Sequence, residues 1–375
     1  MHILIAALHR PTSPTGVCRF AANLARCLAD RTEISQITII IGQWQTHYFE
    51  NLLETLTSKI KLISIDIKNT SFSRNVWFLW DLPKLAQQQQ ADRVHLSFPL
   101  PFVRSLFSCP VIVTIHDLYP YQLPENFGHK QAIVNKIFLQ QCISQCDALT
   151  CVSQTTWKAL IHYFPNIQKQ KKLTTIIYNF VDFSQIHVKP TTDFQEKFEF
   201  PFLLCVAQHR KNKNIDLLIK SYDNLKSEKK IDSRTRLILV GSSSTETATL
   251  NTLIKDRSLM ESIQILSSID DNELCWLYQN CQLFVMPSSV EGFCIPIVEA
   301  LSFSCNVICS NIDIFKEIGK TDCTYFDLTV NPVQNLSKAI QNALSVGRPL
   351  KTNDHLRFSK IIIAGQYTEF YSKVI

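Results

Sequence analysis

Ser288-Ser289-Val290-Glu291-Gly292-Phe293-Cys294-Ile295-Pro296-Ile297-Val298-Glu299-Ala300 is the stretch on which the fold turns. The apolar run Leu283-Phe284-Val285-Met286 leads into it and reads as a buried strand. Pro287, the two serines and the Glu291-Gly292 pair then break the chain into a loop. Pro296 suits the first position of a helix, because its missing N–H would have lacked a partner there. The helix runs on through Val298, Glu299, Ala300 and Leu301.

Free N–H groups in the first turn of such a helix carry the positive end of its dipole, so an anion can sit in front of them. Glu291 precedes that pocket, and Glu299 lies about one turn inside the helix on the same flank. Neither carboxylate can attract phosphate, so each serves hydroxyls or structure. A phosphate flanked by polyols, as in a nucleotide sugar, would satisfy all three features.

Outward from this stretch, short apolar runs alternate with amphipathic segments. Strands are expected at Ile3–Leu8, Ile37–Ile41, Ile60–Ile67, Arg93–Leu96, Val111–Ile115, Ala148–Val152 and Leu173–Tyr178. The alternation restarts with strands at Phe202–Ala207, Leu237–Val240, Ile263–Leu266, Leu283–Met286 and Val307–Cys309. This pattern predicts two doubly wound α/β domains, with ligands at strand carboxyl ends and in the cleft between the domains. Val188–Glu199, polar and aperiodic, reads as a linker. The expected domains are 1–187 and 188–356, with a terminal helix over 357–375 packing through Phe358, Ile361, Tyr367 and Tyr371.

A chain of 375 residues is long enough for two cores, and 46% hydrophobic with 19% charged residues is globular. No stretch reaches the roughly 20 apolar residues of a spanning helix. Ile3–Leu8, closed by His9 and Arg10, is too short for a signal peptide. The 13 cysteines, without a Cys-x-x-Cys, read as reduced buried thiols in a cytoplasmic protein. Residues 1–190 hold 18 Lys and Arg against 11 Asp and Glu, which suits an anionic membrane surface or a charged lipid acceptor. Aromatics do not interleave the cations as a nucleic-acid groove requires.

Other strand ends carry chemistry as well. Gly16, after the first strand, lets a ligand approach a helix start. His116-Asp117 closes the strand Val111–Ile115. Arg210, Lys211 and Lys213 follow the strand Phe202–Ala207 and form a candidate diphosphate clamp, Arg as a fork and Lys as a point charge. Val240-Gly241-Ser242 and Ile265-Leu266-Ser267 close two further strands. There is no Asp-x-Asp, so a metal-clamped diphosphate is not supported.

Glu291 and Glu299 within Glu-Gly-Phe-Cys-Ile-Pro-Ile-Val-Glu-Ala resemble the Glu-x7-Glu signature of retaining glycosyltransferases of family 4. The His116-Asp117 pair, Lys213-Asn214 and the turn Asn179-Phe180-Val181-Asp182 are similar to further motifs of that family, in the same order along the chain. The resemblance implies a GT-B fold and a sugar moved from a nucleotide-diphosphate sugar to a glycan or lipid-linked acceptor, without another cofactor or a metal. It places Glu299 on the ribose, Arg210 and Lys213 on the diphosphate, and Glu291 with His116 on the sugar. Gly16 faces the diphosphate, Gly241 and Leu266 floor the base and ribose, and Phe293 and Cys294 lie at the donor. The sugar would be of mannosyl or glucosyl type, in surface polysaccharide or lipopolysaccharide assembly, with the enzyme at the inner face of the membrane. Several family glycines are replaced, by Phe180, Ser267, Cys294 and Ser304. A nucleotide-sugar-binding protein of weak activity, and an epimerase or phosphorylase on the same fold, stay open.

Overall fold

The computed structural model describes residues 1–375 apart from 13–14, 54–57, 171, 182, 184–187, 189, 268, 348–353 and 375. The chain divides into two compact units, Met1–Phe180 with Arg357–Ile375, and Val181–Leu356. Asp182, one residue of the turn singled out above, lies outside the described residues, as do Ser13 and Pro14 of the loop before Gly16.

In the first unit, β1 (His2–Ala6), β2 (Gln36–Gly42), β3 (Ile60–Ile65), β4 (Arg93–Leu96), β5 (Val111–Ile115), β6 (Ala148–Cys151) and β7 (Leu173–Ile176) form a parallel sheet in the order β3-β2-β1-β4-β5-β6-β7. The second unit repeats the plan with β8 (Phe202–Val206), β9 (Arg236–Val240), β10 (Ile263–Leu266), β11 (Leu283–Met286), β12 (Val307–Ser310) and β13 (Cys323–Phe326), in the order β10-β9-β8-β11-β12-β13. β1, β5, β8 and β11 are buried along nearly their whole length, as strands covered on both faces by crossover helices must be. The order reverses between β1 and β4, and again between β8 and β11. There the connections leave toward opposite faces, and a crevice opens at the strands' carboxyl ends.

Helix starts are fixed locally. Thr70 and Ser153 accept N–H bonds from Ser73 and Thr156, and Asp270 closes a capping box with Glu273. The terminal helix Lys360–Lys373 packs on the first unit through Ile363, Tyr367, Phe370 and Tyr371, each worth roughly 1.5–3 kcal/mol buried. Tyr371 Oη meets His95 Nδ1 at 2.5 Å, and His95 Nε2 meets Thr114 Oγ1 at 2.7 Å, so the fully buried ring is tied on both sides.

Three expectations are corrected. Ile361 is 80% exposed: the buried phase of the helix runs through 363, 367 and 371, and Ile361 falls on the far side. Residues 192–198 are not a free linker, since Thr192–Glu196 is a short helix whose Phe194, with Phe198, packs on Trp276. Pro296 takes the second rather than the first place of the helix Ile295–Ser302, a position equally without an intrahelical N–H partner. The helices Asp313–Gly319 and Pro332–Leu344 and strand β13 complete the second unit beyond the elements read from sequence.

Gly241 has a structural reason. A Cβ built there would stand 1.9 Å from the Ala207 carbonyl oxygen, so the exits of β8 and β9 can lie side by side only without a side chain. Gly241→Ala is expected to destabilise the second unit by about 2 kcal/mol or more, read as a lower urea midpoint.

Candidate active site

The crevice of the second unit is built by two loops, Ala207–Asn214 after β8 and Pro287–Cys294 after β11. They are laced together by backbone and amide bonds. Ser289 N donates to Asn212 O at 2.9 Å, Asn212 Nδ2 to Val290 O at 3.0 Å, and Asn214 Nδ2 to Pro287 O at 2.9 Å. Asn214 also takes the left-handed conformation, φ +48°, that turns the chain into the helix Ile215–Ser227, a conformation Asn tolerates better than most residues.

This lacing brings the Lys213 ammonium onto the Glu291 carboxylate. The two side chains are 17% and 6% exposed. Burial alone would push the Lys213 ammonium down, but the charge and hydrogen bond of Glu291 outweigh it and hold it above its ordinary value. Residues 78 positions apart, read separately as a diphosphate cation and a sugar acid, thus form one charged centre. Arg210, half-buried on the same loop, has no ion-pair partner and no side-chain hydrogen bond among the described residues.

Glu299 is buried in the helix Ile295–Ser302, where its Oε2 accepts the Tyr278 hydroxyl at 2.8 Å. Tyr278 stacks on Phe303, with centroids 5.8 Å apart and planes at 10°, so the carboxylate is held by a rigid phenol that sequence reading missed. The helix start has no side-chain cap. Its first flanking residue, Cys294, stands at φ +75°, where a glycine would be unstrained, and Ser304 past the helix end stands at φ +56°. The glycines expected there are replaced, but their backbone conformations are kept. Phe293 is buried beside Cys294. Gly241 N donates to Leu266 O at 3.0 Å; Gly241 meets the Ala207 backbone, and Leu266 is half-buried.

The first unit presents a second crevice at the ends of β1, β4 and β5, a cavity of about 370 Å³ lined among others by His9, Phe98 and His116. His116 Nε2 faces the Ser97 carbonyl at 2.8 Å; it must donate there, which leaves Nδ1 as the acceptor. Burial pushes its pKa down to about 4, so the ring is neutral near pH 7. Asp117 Oδ1 accepts the Tyr119 N–H at 3.0 Å and so fixes the loop after His116. At Gly16 nothing lies within 4 Å of a built Cβ and the backbone is ordinary, so neither packing nor conformation calls for glycine there. Its neighbour Val17 lines the cavity. Gly16 and His116 belong to the first unit, the other named site residues to the second. Among the described residues no three or more His, Cys, Asp or Glu group as metal ligands.

Two family models match this chain, one described as Glycosyltransferase Family 4 over residues 14–185, the other as Glycosyl transferases group 1 over residues 189–358. The two matches together span nearly the whole chain, which is a glycosyltransferase built of these two domains. This transferase is 25% identical over 340 residues to the O-antigen chain mannosyltransferase RfbU of Salmonella typhimurium, covering 88% of this chain and 87% of that one. Sucrose-phosphate synthase from Thermosynechococcus elongatus superposes with a TM-score of 0.74 at 16% identity, covering 99% of this chain and 98% of that one. HepE from Anabaena, in complex with UDP and glucose, does so at 0.72 and 17%, covering 99% of each chain. At these identities the two structures speak for the fold.

Removing one member of the buried ion pair strands the other. Lys213→Ala is expected to destabilise the second unit of the transferase by up to about 3 kcal/mol, and Lys213→Met with Glu291→Leu by clearly less, in a double-mutant cycle of urea unfolding. The histidines of the first unit set a pH dependence. Burial holds His116 and His9 at about 4 and His95 at about 3, all below the unfolded value of 6.5. The unfolded chain therefore binds more protons below pH 6.5. Stability is full above that pH and should fall as pH drops toward 4, by at most about 1.4 kcal/mol per pH unit for each ring. Denaturant midpoints measured from pH 7.5 to 4.5 check the slope.

Proposed function

We propose that this transferase moves a hexosyl group from a nucleotide-diphosphate sugar to a hydroxyl of a glycan or lipid-linked acceptor. We assign it retention of anomeric configuration, no metal requirement and a place in surface polysaccharide or lipopolysaccharide assembly. The observation that carries the reading is the charged centre at the reversal of the second sheet. There Lys213 meets Glu291 while Arg210 on the same loop stands without a counter-ion among the described residues. A phosphate group needs the cations, and a sugar hydroxyl needs the acid. The name of RfbU supports a mannosyl donor and a polysaccharide acceptor, and the UDP and glucose of HepE support a nucleotide and a hexose.

In this reading the diphosphate lies on Arg210, Lys213 and the uncapped start of the helix Ile295–Ser302. Their positive charge stabilises the negative charge that grows on the departing phosphate, and they replace a metal in that role. Glu291, steadied by Lys213, accepts hydroxyls of the sugar, and Glu299, steadied by Tyr278, accepts those of the ribose. The departing phosphate oxygen takes the proton of the acceptor hydroxyl, so no separate protein base is required. The acceptor is assigned to the cavity of the first unit.

Arg210→Ala is the clean test, because among the described residues the guanidinium has no ion-pair or hydrogen-bond partner that its loss would disturb. Calorimetric titration with GDP- and UDP-hexoses is expected to find one donor whose affinity falls tenfold or more in this variant, with the melting temperature unchanged. A full panel in which no donor binds, or one that binds Arg210→Ala as tightly as the parent, overturns the proposal.

A further inference from the structure

We infer that the cavity of the first unit takes an acceptor carrying a negatively charged group, a carboxylate or a phosphate, and that Arg74 grips it. The inference deepens the transferase reading and rests on it. The cavity, about 370 Å³, is at the small end of the range for ligand pockets and suits a sugar unit or two. Phe98, Phe127 and Phe138 give it ring faces for a sugar to lie against, and Asn75, Gln131 and Asn135 give it amides for hydroxyls. So far the wall would serve any sugar.

Arg74 changes that. It projects from the helix Ser71–Gln88 into this wall and is only 8% exposed. Its guanidinium donates to Asn69 Oδ1 and, at 3.3 Å, to Ser71 Oγ, both neutral. Among the described residues no carboxylate pairs with it, and the nearby charge of Arg10 opposes its own. A buried guanidinium without a counter-ion is an expensive arrangement. His9 lies in the same wall with its Nδ1 buried and, among the described residues, without a hydrogen-bond partner. The acid of the wall, Asp117, is the one whose Oδ1 accepts the Tyr119 N–H. An anion entering here would supply the missing counter-charge to Arg74 and an acceptor for a His9 N–H. A hydroxyl of a neutral hexose could accept the His9 N–H, but it would leave the charge of Arg74 unmet. The carboxylate of an acidic sugar and the phosphate of a phosphorylated one share this chemistry.

The test uses the full chain and three probes: methyl α-mannoside, methyl α-glucuronoside and mannose 1-phosphate. At least one charged probe is expected to bind about tenfold more tightly than the neutral one, an advantage that shrinks as salt rises. The advantage should vanish in Arg74→Gln and fall severalfold in Arg74→Lys, which keeps the charge but loses the fork. The Arg74→Lys result stands alone if Arg74→Gln does not fold. Whichever charged probe wins identifies the group. Equal affinity for all three, no binding of any, or an advantage that survives both variants overturns the inference. Nucleotide-sugar titration of the same preparations separates the two readings. If it is intact, only the anionic acceptor falls; if it is absent in the parent chain, the transferase reading itself is struck.

Discussion

A parallel sheet whose strand order reverses has one place where two neighbouring strands send their connections to opposite faces, and the rest of this molecule follows from that constraint. In the first unit the place is β1 against β4, in the second β8 against β11. Backbone cannot fill the gap, so whatever side chains follow these four strands line a crevice. The residues after β1 and β4 are His9, Arg10 and Phe98, which line the cavity. Those after β8 and β11 are Arg210, Lys213 and Glu291. Chemistry is concentrated where topology leaves room.

At the second crevice, charge and structure are one system. Glu291 is almost without solvent and pairs with Lys213, while the amides of Asn212 and Asn214 hold the two loops in the register that lets the pair form. The backbone there is held under tension as well. Cys294 and Ser304 occupy left-handed conformations that cost of order 1–3 kcal/mol each for side chains of their kind. The surrounding packing, with Phe293, Val298 and Ala300 buried, maintains them.

Much of this was legible in the chain because apolar runs end where strands end. β4, β5, β10 and β11 fall on the residues read from sequence, and the cations and acids immediately after β8 and β11 were visible as strand-end chemistry. What sequence did not show is pairing. Lys213 and Glu291 looked like separate instruments because 78 residues divide them, and only the adjacency of β8 and β11 joins them. Arg74 reads as an ordinary helical surface charge until the fold buries it in a cavity wall where, among the described residues, no carboxylate pairs with it. Tyr278 looks like any core aromatic until its hydroxyl is seen to meet Glu299. Ile361 misled because the terminal helix is apolar on several sides, Ile361 and Ile362 facing out, so composition did not reveal its phase. The helix Pro332–Leu344 did carry a signal, Leu336, Ile340 and Ala343 at helical spacing, that reading outward from the signature passed over.

The thirteen cysteines are all free and all buried. For Cys27, Cys142, Cys151 and Cys294, burial raises the thiol far above its ordinary range, so the reactive thiolate is withheld while the chain is folded. Global opening releases all of them together into one flexible coil. In air, oxidation of that coil to mixed cross-links competes with return to the native state, and each excursion that ends in a wrong disulfide is lost to the folded pool. Shelf life without a reductant is therefore set by how often the chain opens, not by the depth of its free-energy minimum alone.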